Sequence, residues 1–222
     1  MKLMSNKQMT TIYVVRHGQS ESNLNGEIAG HTNRPLTKQG EEQAKKQAEK
    51  LTQVKFDAIF SSDLLRAKRT AEIIAAEHQL VVNTTQMLRE RNFGEWEGKP
   101  EEDFYKKNAE LLESLKNLSE PEKQDLKIGQ GYENNTEIAT RFITFLREIA
   151  ATYLGKTILI VCHGSMMRAL LMRLGFGTYD ELPAGCIDNA GYFVLDSDGV
   201  DFFVKETVGI HKNSEVTAYP LL

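Results

Sequence analysis

Residues 11–23 read TIYVVRHGQSESN. The first part has the character of a buried strand, because Ile12, Tyr13, Val14 and Val15 form a short apolar run rich in β-branched and aromatic residues. The run stops at Arg16, His17 and Gly18. A cation, an imidazole and a glycine are thereby delivered to the C-terminal end of a strand, where α/β proteins bind their ligands. A second strand ends in the same way: TILIVC at 157–162 runs into His163, Gly164 and Ser165. If the two strands are parallel neighbours, both imidazoles sit on one rim of one sheet.

Three more strands are expected, over Phe56–Ser61, Gly191–Asp196 and Phe202–Glu206. Helices are expected over Lys38–Leu51, Leu64–His78, Thr136–Tyr153 and Ser165–Leu174. The second helix carries an apolar face of Leu65, Ala67, Thr70, Ala71, Ile73 and Ile74. The third carries a stripe of Ile138, Phe142, Phe145, Leu146 and Ile149, with Thr136 expected as its cap. Strands alternating with helices imply an α/β fold, a three-layer sandwich with a mostly parallel central sheet. The 222 residues fit a single domain spanning 1–222. Residues 101–135 interrupt the pattern. They are polar, charged and weakly periodic in Phe104, Leu111, Leu112, Leu115 and Leu118, and read as a helical insertion or cap over the active site.

Composition narrows the function. The chain is 41% hydrophobic and 26% charged, with a net charge of −4, which argues against a nucleic-acid partner. Cys162 and Cys186 form no C-x-x-C pair, and Cys162, closing an apolar run, reads as a buried thiol. MKLMSNKQMT at 1–10 lacks a hydrophobic leader core and no apolar run reaches spanning length, so a cytoplasmic protein without a membrane partner is expected.

The strand at 56–61 leads into a helix whose first turn holds Arg66, on the same rim as His17 and His163. LRERNFGEWEG at 88–98 adds carboxylates beside aromatics and glycines. Two guanidiniums and two imidazoles form a concentrated set of donors for a dianion, and arginine's planar fork matches phosphate oxygens. A histidine among them can attack phosphorus, and a carboxylic acid can protonate the leaving oxygen. The arginines would repel a metal cation, so no metal site is expected. His31, His78 and His211 read as surface residues. Asp63 is expected to cap the Arg66 helix, Arg69 to form a structural ion pair, and Ser20 and Ser165 to serve in loops or caps.

Five blocks then occur in order: R-H-G-Q-S-x-x-N at 16–23, P-L-T-x-x-G-x-x-Q-A at 35–44, S-S-D-L-x-R-A-x-R-T-A at 61–71, L-R-E-x-x-F-G-x-W-E-G at 88–98 and C-H-G at 162–164. The chain resembles the histidine phosphatase superfamily, in its phosphoglycerate-mutase-like branch. The resemblance implies that His17 is transiently phosphorylated, that Arg16 and Arg66 bind phosphate, and that His163 stabilises the transition state. It implies that Glu90 donates the proton, that Asn23 lies in the phosphate pocket, and that Gly30 and Gly164 stand where backbone approaches substrate. It implies no metal or organic cofactor. Glu95 and Glu97 read as solvated or structural.

The implied reaction is hydrolysis of a small phosphomonoester by a phosphohistidine enzyme. The alternatives are a cofactor-dependent phosphoglycerate mutase and, from another class, a non-catalytic phospho-ligand-binding or regulatory module. Mutases of the family typically carry a longer insertion with an Arg-Arg pair, whereas Lys99–Gln130 contains no arginine. Ala29 and Phe93 stand where mutases usually have threonine and tyrosine. These departures favour the phosphatase, and all matched catalytic positions are present, which disfavours the non-catalytic module. A monomer or homodimer is expected.

Overall fold

The structure is a computed structural model that describes residues 8–213. The first seven residues of the leader reading lie outside it. In chain order the elements are β1 (Thr10–Arg16), α1 (Glu21–Asn25), α2 (Lys38–Leu51), β2 (Ala58–Ser62), α3 (Leu65–His78), β3 (Val82–Thr85), α4 (Glu101–Lys107), α5 (Ala109–Ser114) and α6 (Glu120–Asp125). There follow α7 (Asn135–Thr152), β4 (Thr157–Cys162), α8 (Gly164–Arg173), β5 (Ile187–Ser197) and β6 (Phe202–Ile210).

The strands form one mixed sheet in the order β3-β2-β4-β1-β5-β6. The first four are parallel, and β5 and β6 run antiparallel to their neighbours. Successive side chains on a strand point to opposite faces, which sorts the core into two layers. Ile12, Val14, Ile158 and Ile160 pack with Phe142 and Leu146 of α7 and Met166 and Leu170 of α8. The alternate residues Val15, Leu159 and Val161 pack with Leu51 of α2 and Ala67, Ala71 and Ile74 of α3. Burial on both faces explains why these strands read as continuous apolar runs.

β3 escaped the sequence reading. It is four residues, VNTT, partly exposed at the sheet edge, with no apolar alternation to mark it. β5 starts four residues earlier than expected and contains a bulge between Ile187 and Tyr192, where Ala190 takes a left-handed backbone at φ 59°. Two cap assignments are corrected. α7 is capped by Asn134, whose side chain accepts from the Glu137 N–H in a reciprocal capping box, while Thr136 hydrogen-bonds Asp125. α3 starts after Leu64 without a side-chain cap, and Asp63 instead forms a two-bond pair with Arg89, at 2.8 and 2.6 Å.

Residues 101–135 do form a helical excursion, as α4 to α6. It closes over a small cluster of its own: Ile28, Trp96, Phe104 and Ile128. Its far end is fastened to the segment after α8, where the nearly buried Lys123 ammonium meets Asp180 at 2.6 Å and Glu120 accepts from the Tyr179 N–H at 2.9 Å. Among the described residues no helix is long and apolar enough to cross a membrane.

Candidate active site

β1 and β4 are parallel neighbours, and Arg16 pairs in register with Cys162. The ladder continues one step further, with the His17 N–H donating to the Cys162 carbonyl at 3.1 Å. His17 and His163 therefore leave the sheet side by side, both buried, with ring centroids 5.1 Å apart at 63°.

Several local features hold His17. A Cβ on Gly18 would lie 2.3 Å from the Gly40 carbonyl oxygen, and one on Gly40 would lie 2.0 Å from the Gln19 carbonyl oxygen. Gly18 is needed because the chain leaving His17 lies flush on the first turn of α2; its φ is not left-handed. The His17 carbonyl accepts from the Ala190 N–H at 3.2 Å and from Asn189 Nδ2 at 3.3 Å. His17 Nδ1 lies 2.6 Å from the Gly18 carbonyl. A carbonyl can only accept, so Nδ1 carries the proton and Nε2 keeps its lone pair.

Arg66, fully buried near the start of α3, donates Nη1 to the Thr32 carbonyl and Nη2 to the Gly30 carbonyl, both at 2.7 Å. Gly30 has φ +46°, and a Cβ there would come within 2.3 Å of the Glu97 carboxylate. Arg16 donates Nη1 to the Ile187 carbonyl, and Gly164 leaves room for its guanidinium, since a Cβ would lie 3.2 Å from Arg16 Nε. Asn23 opens α1 with Ser20 in an N-terminal capping box, and its Oδ1 also accepts from Asn189 at 3.4 Å. That bond links Asn23 to the His17 support. Ser20 is thus a cap residue.

Glu90 is nearly buried. Oε1 accepts from the Arg91 N–H at 2.8 Å, and Oε2 from the Ser165 N–H at 3.2 Å, in the first turn of α8 beside His163. Its carbonyl accepts from His31 Nε2 at 2.9 Å and Arg141 Nη2 at 3.4 Å. His31 is therefore a half-buried support of the Glu90 segment, not a plain surface residue. His78 is half-buried too, edge-on to Phe56 at 4.9 Å. His211 lies exposed beside Asp188. Glu95 is exposed, and Glu97 accepts from the Phe93 N–H at 3.1 Å. Arg69 pairs with Glu41 at 2.9 Å.

The electrostatics are those of an anion site. Burial first, then the charges of Arg66 and Arg16, holds the His17 imidazole well below its usual pKa. His163 is depressed in the same way, by burial first and then chiefly by Arg66. Burial likewise pushes the Arg66 guanidinium down to about 10, with Glu90 opposing. Arg16 Nε, Arg66 Nε, and both ring nitrogens of His163 are buried without a hydrogen-bond partner. Buried polar atoms are nearly always paired, so such a concentration of orphans on one rim marks a site made for a ligand rich in acceptors.

A family model, the histidine phosphatase superfamily (branch 1), matches residues 12–208. The chain belongs to that family. It is 32% identical to an uncharacterised phosphatase, PhoE, of Bacillus subtilis, over 82% of this chain and 88% of the relative. It is 31% identical to the adenosylcobalamin/alpha-ribazole phosphatase of Escherichia coli, over 73% and 78%. Its fold matches the phosphoglycerate mutase of Bacillus anthracis with a TM-score of 0.79 at 25% identity, covering 91% of this chain and 94% of the other. This histidine phosphatase family member thus has phosphatases and mutases among its relatives.

Residues near the site that sequence reasoning passed over include Glu101, which shares an electrostatic field with Arg16, and Asn189 beneath His17. Glu101 carried one signal, its position at the head of the segment that breaks the α/β alternation. Asn189 carried none, because the bulge in β5 that places it is invisible in the pattern.

Proposed function

We propose that this protein hydrolyses small phosphomonoesters through a phosphohistidine formed on His17. The observation that carries the reading is the set of orphan donors on Arg16, Arg66 and His163 around the unprotonated Nε2 of His17. A phosphoryl dianion supplies the missing acceptors. It also reverses the local field, so that the cations which depress His163 are neutralised and its imidazole can donate to a phosphoryl oxygen. His17 Nε2 then attacks phosphorus in line, an N–P bond forming as the ester P–O bond breaks. Arg16, Arg66 and His163 meet the charge on the equatorial oxygens. Glu90, with both oxygens within the rim's hydrogen-bond network, protonates the leaving oxygen and later takes a proton from the water that cleaves the phosphohistidine. No step calls for a metal or an organic cofactor.

Relatives named as phosphatases for adenosylcobalamin/alpha-ribazole and for phosphoserine support a small-metabolite substrate. The absence of arginine from Lys99–Gln130 favours hydrolysis over mutase chemistry, which must grip a second anionic group. The test is turnover of phenyl phosphate alongside 2- and 3-phosphoglycerate, with and without bisphosphoglycerate. Phosphate release from the aryl ester without interconversion of the phosphoglycerates is expected. Bisphosphoglycerate-dependent interconversion would reverse the reading. We further propose that residues 1–222 form one domain, found as a monomer or homodimer in the cytoplasm.

A further inference from the structure

Glu90 does not stand on a strand or a helix. Its segment follows a single 3₁₀ turn, Gln86–Leu88, and then runs on as irregular chain. Without a ladder, the carbonyls of such a segment need partners from elsewhere. α7 supplies them through Arg141, in its second turn. Arg141 Nη1 donates to the Met87 and Arg89 carbonyls, both at 2.9 Å, and Nη2 to the Glu90 carbonyl at 3.4 Å. Nη2 and Nε also meet the two Glu133 carboxylate oxygens, at 2.8 and 3.0 Å. Three carbonyls and two carboxylate oxygens thus face the five N–H donors of an arginine fork, an arrangement that a lysine ammonium could not reproduce.

Glu133 fastens the same segment a second time. Its Oε2 also accepts from the Asn92 N–H at 3.2 Å, and its own N–H donates to the Asn92 carbonyl at 2.8 Å. From the other direction, Arg91 donates to the Glu133 carbonyl at 2.7 Å and to the Asn135 side chain at the head of α7. Arginine bonds therefore tie loop to helix on both sides of Glu90. The packing of α7 rests on other side chains. Ile138, Phe142, Phe145, Leu146 and Ile149 carry it into the core, whereas Arg141 and Glu133 are half-buried beside it.

We propose that Arg141, clamped by Glu133, is the positioning residue for the general acid. It fixes the loop so that the Glu90 carboxyl stays between the Arg91 and Ser165 N–H groups, facing the leaving oxygen. The proposal rests on the phosphatase reading above, with Glu90 as its acid. Misplacing a reacting group by about 1 Å can cost about 10²-fold in rate. The cost falls on the proton that the leaving group needs, because phosphate binding belongs to Arg16, Arg66 and His163.

Two esters of similar shape test this, phenyl phosphate and p-nitrophenyl phosphate. Phenolate is the stronger base and gains more from a proton than nitrophenolate does. Arg141→Ala should lower kcat/KM for phenyl phosphate about 10²-fold and for p-nitrophenyl phosphate only about tenfold. In a Glu90→Gln background the same substitution should cost phenyl phosphate less than about threefold, because the group being positioned is gone. Equal losses on the two esters, or an undiminished loss in the Glu90→Gln background, overturn the proposal and leave Arg141 a structural residue. Circular dichroism reports whether Arg141→Ala folds. If it does not, Glu133→Gln, which loosens the clamp and keeps the guanidinium, is read by the same two comparisons. With a wild type that hydrolyses both esters, either contrary outcome overturns this proposal alone. Failure of the wild type to hydrolyse phenyl phosphate overturns the phosphatase reading, and this proposal with it.

Discussion

The sheet rim and the cap above it are held by different means. At the rim, His17 and His163 extend a parallel ladder, Arg66 is gripped by two backbone carbonyls, and Gly18 and Gly40 bring two chain segments into direct backbone contact. The cap consists of helices of seven, six and six residues over a cluster of four buried side chains. Many of its ion pairs, such as Lys106–Glu102 and Lys116–Glu113, are solvated, and such pairs contribute at most about 1 kcal/mol each. The rim is therefore built of parts with little freedom to rearrange, whereas the cap is held by weaker ties.

The sharpest way to break this contrast is to compare losses on each side. His17→Ala should lower kcat by on the order of 10⁴-fold or more with the fold intact by circular dichroism. A cap substitution with an equal effect would erase the distinction. Glu90→Gln should lower kcat on alkyl phosphates by about 10²- to 10⁴-fold, and by less on aryl phosphates, whose leaving groups need little protonation. Equal losses on both substrates would remove Glu90 from the proton-transfer role.

The rim should also show in stability. Folded-state His17 and His163 have depressed pKa values, so the unfolded chain, with imidazoles near about 6.5, binds more protons as pH falls. Stability of the ligand-free protein should be unaffected by these groups well above that pH and decline as pH drops through about 6.5 and below. Orthovanadate, as a phosphate analogue, should offset part of that decline. Thermal melts between pH 8 and 5 measure both effects. A His17→Ala/His163→Ala variant that keeps the full slope would place the acid sensitivity elsewhere.

The smallest effect is expected from the cap latch. Lys123→Met removes its contacts to Asp180 and Glu120. KM should rise about fivefold, as for an interaction of roughly 1 kcal/mol, with little change in kcat. A fall in kcat at constant KM would mean that the cap takes part in the chemistry.

The central sheet and its helices were legible because strands buried on both faces leave continuous apolar runs. The rim residues were legible because two such runs end in the same way. β3 was not, because an edge strand of polar residues has no periodicity. Asp63 and Thr136 were misassigned for one reason: several polar residues crowd a helix start, and tertiary partners, Arg89 and Asp125, outcompete the local cap. His31 looked like a surface residue because nothing in its neighbours reveals that its ring reaches the carbonyl of Glu90. The placement of Glu101 depends on a backbone bond from its N–H to the Gly26 carbonyl, which no local pattern encodes.

The central claim is tested most directly by mixing the enzyme with a phosphate-labelled monoester and quenching within one turnover. The account expects label on the protein that is stable to base, lost in acid, mapped to His17 and absent from His17→Ala. Unlabelled wild-type enzyme during active turnover, or a His17→Ala variant that still labels and hydrolyses, would contradict it.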